Sequence, residues 1–134
     1  MKDYSNFIAI IGAGISGLAL GIMLQKKQIQ CVIFEKSHKI GEHGAGISIS
    51  QNGLKVLKNL DLLEEFNLQS RQPNYAIFFS SNKKIKKIPT NVTTSTRRTL
   101  FKSLLDKYLS LDGEIHFGNE VVDIEIENKT ITFK

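Results

Sequence analysis

Phe7-Ile8-Ala9-Ile10-Ile11-Gly12-Ala13-Gly14-Ile15-Ser16-Gly17 reads as a strand running straight into a glycine-spaced turn. The first five residues form an apolar run rich in β-branched side chains, the pattern of a parallel strand covered on both faces. A helix is predicted over residues 16–27, with Leu18, Ile22 and Met23 able to face a sheet. Lys26 and Lys27 fall in its last turn, where they complement the helix dipole. Cys31-Val32-Ile33-Phe34-Glu35 is a second buried strand. Strand, helix and strand in under thirty residues predict a right-handed parallel crossover.

The same stretch has a membrane reading. Residues 7–24 carry no charged side chain, and eighteen positions is the lower limit for a spanning helix. Gly17 and Gly21 also have the spacing of a membrane helix-dimer motif. A single helix would then have to accommodate Gly12, Gly14, Gly17 and Gly21, each of which weakens it, together with Ser16. Strand, turn and helix account for every glycine, so no stable membrane insertion is expected. No cationic, apolar and small-residue succession marks a secretory signal.

Farther along, Gly41-Glu42-His43-Gly44-Ala45-Gly46 is a glycine-rich loop and Ile47-Ser48-Ile49 a short extended piece. Residues 51–60 place Leu54, Leu57 and Leu60 at helical spacing, and residues 61–66 predict a further turn or two of helix. Residues 75–80 and 83–88 read as a β-hairpin around Ser81-Asn82, ended by Pro89. Thr96 or a neighbouring hydroxyl caps a helix with Leu100, Leu104, Leu105, Tyr108 and Leu109 on one stripe. Asp112-Gly113 is a turn, residues 114–117 a third parallel strand, and residues 121–127 and 130–133 a second hairpin with Asn128-Lys129 at its tip.

The chain's 134 residues fit one domain or a piece of a larger one. With 41% hydrophobic and 23% charged residues the composition is that of a globular protein and argues against disorder. Cys31 is the sole cysteine, which excludes an internal disulfide framework and a multi-cysteine zinc site. It suits a reducing compartment, and a cytoplasmic location is the expectation. Much of the net charge of +5 sits in Lys83, Lys84, Lys86, Lys87, Arg97 and Arg98. No interleaved aromatics or helix-turn-helix pattern accompanies them, so a solvated hairpin is expected in place of a nucleic-acid site. His38, His43 and His116 lack metal-ligand spacing, and Cys31 reads as an inert core thiol.

Gly12-x-Gly14-x-x-Gly17 carries the chemistry. Gly12 permits the tight turn out of the strand, Gly14 lets a pyrophosphate approach the backbone, and Gly17 allows close packing of helix on strand. The free N–H groups and the dipole at the helix N-terminus favour two negative phosphates. Glu35 follows Gly17 by eighteen residues, at the end of the next strand. A carboxylate there accepts hydrogen bonds from ribose hydroxyls and repels a 2′-phosphate. These residues predict a dinucleotide with an adenosine half and do not separate FAD from NAD. An NAD-binding dehydrogenase, a non-hydroxylating flavin oxidoreductase and a non-catalytic dinucleotide-binding module stay open at this point.

The run from Gly12 to Lys36, then Gly44-Ala45-Gly46-Ile47, then Asn52-Gly53-Leu54 onward to Phe66, then Arg97-x-x-Leu100-x-x-x-Leu104-Leu105 resembles the first third of the class A flavoprotein monooxygenases. That family includes salicylate hydroxylase, kynurenine 3-monooxygenase and the ubiquinone-pathway hydroxylases. The resemblance implies an α/β, Rossmann-like FAD-binding fold of the glutathione-reductase type, with a parallel sheet and antiparallel hairpins. It implies FAD as cofactor, NADH or NADPH as electron donor, and hydroxylation of a small, aromatic or similar substrate with O₂. Carried over by position, Gly12, Ala13, Gly14, Ile15, Ser16 and Gly17 meet the pyrophosphate, and Glu35 and Lys36 the adenosine end. Gly44, Ala45, Gly46 and Ile47 lie toward the flavin, Arg97 reaches FAD from a helix start, and Val121 presents backbone atoms to adenine. No residue here is implied as a catalytic acid or base. The family's Asp-Gly and Gly-Asp elements would follow Lys134, so residues 1–134 are expected to be the N-terminal part of an FAD-binding domain, with 70–92 as the first strands of a substrate domain. Gln28 and Asp61 stand where the family places glycines after helices.

Overall fold

A computed structural model describes residues 3–39 and 45–134. The chain divides into two compact units, residues 1–43 with 101–134, and residues 44–100.

In the first unit, strand β1 (Ile8–Ile11) leads through the glycine turn into helix α1 (Ile15–Lys26), which returns to strand β2 (Cys31–Glu35). Strand β1 pairs parallel with β2, Ile8 opposite Cys31 and Ile11 opposite Phe34. On the other side of β2 lies strand β7 (Glu114–Phe117), also parallel, giving the order β1-β2-β7. The parallel crossover and third strand are therefore as the sequence predicts. One expectation fails: β1 is not covered on both faces. Ile8 and Ile11 are 43% and 48% exposed, whereas Cys31, Val32, Ile33 and Phe34 of β2 are all buried. Two similar apolar runs differ because β2 is the middle strand and β1 lies at the edge of the described sheet.

Helix α1 lays Leu18 and Ile22, one turn apart, into the core. Met23 points outward at 41% exposure, against the expectation that it faces the sheet. The later helix α4 (Arg97–Ser110) supplies Leu104 and Tyr108 to this core. Tyr108 is fully buried, with its ring wedged between Gly21 and Gly113, where an added methyl would come within 2.6 Å and 2.5 Å of ring carbons. Its hydroxyl donates to the Glu114 carbonyl at 3.2 Å and lies 3.8 Å from the Cys31 sulfur. Cys31 is the expected core thiol, and burial pushes it up from its usual value. Leu109, placed on the apolar stripe by its spacing, is 49% exposed. Strands β8 (Val121–Glu125) and β9 (Thr130–Phe133) form the second hairpin, two residues shorter on its first arm than predicted.

In the second unit, strand β3 (Gly46–Ile49) pairs antiparallel with β6 (Thr93–Thr96). Helix α2 (Gln51–Asn59) is capped by Ser50, and α3 (Leu63–Leu68) follows. Leu54, Leu57, Leu60 and Phe66 are buried, as their spacing requires. Strands β4 (Tyr75–Ser80) and β5 (Lys83–Pro89) make the predicted hairpin, turned by Ser81 and Asn82 at φ 46° and 63°, the left-handed pair of a type I′ turn. All seven β5 residues are exposed, including the four lysines. Thr96 caps α4 by accepting from the Thr99 amide at 3.0 Å.

No helix among the described residues is long and apolar enough to cross a membrane. The two glycines of the membrane-dimer spacing have local packing roles: Gly21 meets Tyr108 and Gly17 meets Gly12.

Candidate functional site

The turn between β1 and α1 is held by two constraints that only glycine meets. Gly12 has φ +98°, outside the range of most side-chain-bearing residues. A methyl on Gly17 would stand 2.0 Å from the Gly12 carbonyl oxygen, so helix and turn touch backbone to backbone. Gly14 differs from both. It sits at the N-cap of α1 in extended conformation, is exposed, and has no atom within 4 Å of where a side chain would begin. The space over Gly14 is open.

The start of α1 has no side-chain cap and no acidic residue in its first turn. Its leading amides, at Ile15, Ser16 and Gly17, lie beyond the reach of the helix's own carbonyl ladder. An uncapped helix start with a bare glycine in front of it suits an anion, through N–H donors and dipole together.

Glu35, the last residue of β2, turns its carboxylate toward this bend. Oε2 accepts from the Ala13 amide at 2.8 Å and Oε1 from the Ser37 amide at 2.9 Å. Burial raises the Glu35 pKa, but the Ser37 and Ala13 amides and the nearby Lys36 charge together outweigh it, and the net shift is downward. Glu35 is thus a carboxylate at neutral pH. A crevice of about 330 Å³ is lined by Gly12, Glu35, Lys36, Asn119, Glu120 and Val121. Residues more than eighty positions apart in sequence meet there because β7 lies beside β2 and delivers the chain to Val121. The Asn119 amide donates to the Glu35 carbonyl at 2.9 Å and the Gly118 amide to the Ser37 carbonyl at 3.1 Å. Gly118 turns at φ +71° with the His38 ring packed where its side chain would be.

The sequence-predicted residues of the first unit, Gly12 to Gly17, Glu35, Lys36 and Val121, are therefore gathered around one bend and its crevice. In the second unit, Gly46 and Ile47 open β3, and the Ala45 carbonyl accepts from the Arg97 amide at 2.9 Å. Arg97 is exposed at the start of α4. Gly44 and His43 lie outside the described residues. Asn119 and Glu120 escaped the sequence reading; their signal was position, next to Val121 after the third strand. So did a cluster in which the Tyr4 hydroxyl donates to Glu114 and lies 2.7 Å from His116 Nε2. Tyr4 is pushed up to about 12, first by that bond to Glu114. A larger groove of about 590 Å³ in this unit has Tyr4, Phe7, Phe34, Ile131 and Phe133 in its walls. Those walls are mostly apolar, whereas the smaller crevice is lined by polar groups at Glu35, Lys36, Asn119 and Glu120 and includes Gly12 of the bend.

The FAD binding domain family matches residues 6–133, nearly the whole chain. The chain belongs to that family. This FAD-binding domain chain is 32% identical over 129 residues to Monooxygenase 1 of Arabidopsis thaliana, covering 92% of this chain and 32% of that protein. It is 30% identical over 134 residues to the FAD-dependent urate hydroxylase of Klebsiella pneumoniae, covering 92% of this chain and 34% of the hydroxylase. Among solved structures, the tetrameric form of 2-methyl-3-hydroxypyridine-5-carboxylic acid oxygenase superposes with a TM-score of 0.84 at 24% identity, over 98% of this chain and 38% of that one. That likeness shows the shared fold. The chain spans about a third of the length of these relatives.

Proposed function

We propose that this FAD-binding domain chain is the N-terminal part of an FAD-dependent monooxygenase and that its first unit holds the ADP half of the cofactor. The observation that carries the reading is the open, uncapped bend at Gly14 with the Glu35 carboxylate beside it. The residues fit the cofactor: amides of Gly14, Ile15, Ser16 and Gly17 receive the pyrophosphate, and the bare Cα of Gly14 lets it come close. Glu35 accepts from the ribose hydroxyls on lone pairs its two amide bonds leave over. Lys36 and the backbone at Val121 border the adenine. By family resemblance Gly44, Ala45, Gly46 and Ile47 take the flavin side, and Arg97 contacts FAD with its fixed fork of donors.

The fold reading that goes with this is the glutathione-reductase type, with residues 70–92 beginning a substrate domain. The bound flavin, reduced by NADH or NADPH, would supply the redox chemistry that places one oxygen of O₂ on a small aromatic or similar substrate. This chain's residues bind and orient; none is proposed as a catalytic acid or base. A cytoplasmic location accords with the reading. The relatives' names, a monooxygenase and an FAD-dependent urate hydroxylase, support the reaction class. Titration with FAD and, separately, with NADH tests it. Saturable FAD binding, weakened about tenfold or more by Glu35→Ala, is expected. Binding of NADH with no affinity for FAD would contradict it.

A further inference from the structure

Resting on that reading, we propose that Glu35 is a positioning residue for the pyrophosphate bend, holding it in its binding shape before any ligand arrives, in addition to meeting the ribose. Ala13 is 5% exposed, so its amide has little access to water, and the Glu35 carboxylate accepts from it at 2.8 Å. A buried amide stripped of its acceptor destabilises the conformation that buries it. The same carboxylate accepts from Ser37 at 2.9 Å, and the Glu35 carbonyl from Asn119 at 2.9 Å. One residue therefore ties together the bend after β1, the segment after β2 and the segment after β7. On either side of Ala13, the Gly12 amide donates to the Phe34 carbonyl at 2.8 Å, while Gly14 is the N-cap of α1. Ala13 sits between a residue bonded to the sheet and the N-cap of the helix, and its tether sets the direction in which the following amides point. Ribose recognition is compatible with this role. An ionised carboxylate offers about four acceptor positions, and the two amides use one on each oxygen.

The test separates a bend holder from a reader of ribose hydroxyls. The probes are ADP and an ADP analogue lacking both ribose hydroxyls, titrated calorimetrically into the wild-type chain, Glu35→Ala and Glu35→Gln. Amide hydrogen exchange of Ala13 is followed without ligand, with Val32 in the middle strand as the reference for global opening. The expected result is that Glu35→Ala weakens both probes about fivefold or more, and that Ala13 exchange accelerates about tenfold relative to Val32. Glu35→Gln keeps one acceptor oxygen and gives an intermediate result for both. The proposal is overturned if the hydroxyl-free analogue binds the variants as it binds wild type while ADP weakens, or if Ala13 exchange relative to Val32 is unchanged. Should the wild type bind neither probe, the cofactor reading fails while the exchange result still decides the role of Glu35.

Discussion

Gly14 and Gly17 belong to one motif and answer to different forces. A side chain at Gly17 collides with the Gly12 carbonyl, whereas a side chain at Gly14 enters empty space. Gly17→Ala is therefore expected to cost about 3 kcal/mol of stability, read by urea unfolding. Gly14→Ala is expected to cost less than about 1 kcal/mol, the penalty of a poorer cap, while weakening FAD binding about tenfold. Equal stability losses in the two variants would refute the division. Glu35 yields a pH prediction. Its folded pKa lies below the usual 4.5, so its contribution is complete above that value and is lost as pH falls through the folded one. The stability gap between wild type and Glu35→Gln should stay constant from about pH 7 to 5 and shrink below about pH 4. A gap unchanged at about pH 3 would show that the two amide bonds do not depend on the charge.

Elements were legible where local pattern dictates them and obscure where neighbours do. The strand, turn and helix from Ile8 to Lys26 follow from β-branched residues, glycine spacing and helical period, all local. That β1 is exposed and β2 buried depends on which strand stands in the middle, which neither run encodes. Met23 and Leu109 were misplaced for a related reason: helical period defines a stripe but not its width. Leu18 and Ile22 occupy the centre of the stripe on α1, and Met23 falls off its edge. The close packing of Gly21 and Gly113 had no sequence signal, although Gly113 was readable as part of a turn, since their partner is the Tyr108 ring brought in by α4. Tyr108→Ala is expected to lose about 4 kcal/mol, and Tyr108→Phe about 1 kcal/mol, the worth of its hydroxyl bond. Gln28, after α1, has φ 59°. The family's glycine at that position avoids a left-handed penalty, so Gln28→Gly should raise the melting temperature by about 2 °C. A fall in melting temperature would mean that backbone entropy outweighs the strain relieved.

At the scale of the molecule, the site arises from sheet order. Placing β7 beside β2 carries Asn119, Glu120 and Val121 to the crevice that Gly12 and Glu35 begin. The glycines and the acid were readable as a pattern, because a phosphate-binding bend needs those residue types at that spacing. Val121 was placed only by family resemblance, and the double hydrogen bonding of Glu35 had no sequence signal. On the function proposed above, the amides from Gly14 to Gly17 receive the cofactor's pyrophosphate. Backbone amide chemical shifts recorded during titration of the chain with FAD test this most directly. The largest changes are predicted at Gly14, Ile15, Ser16 and Gly17, with a second set near Val121. Saturable binding that leaves those four amides unmoved and shifts resonances elsewhere would contradict it.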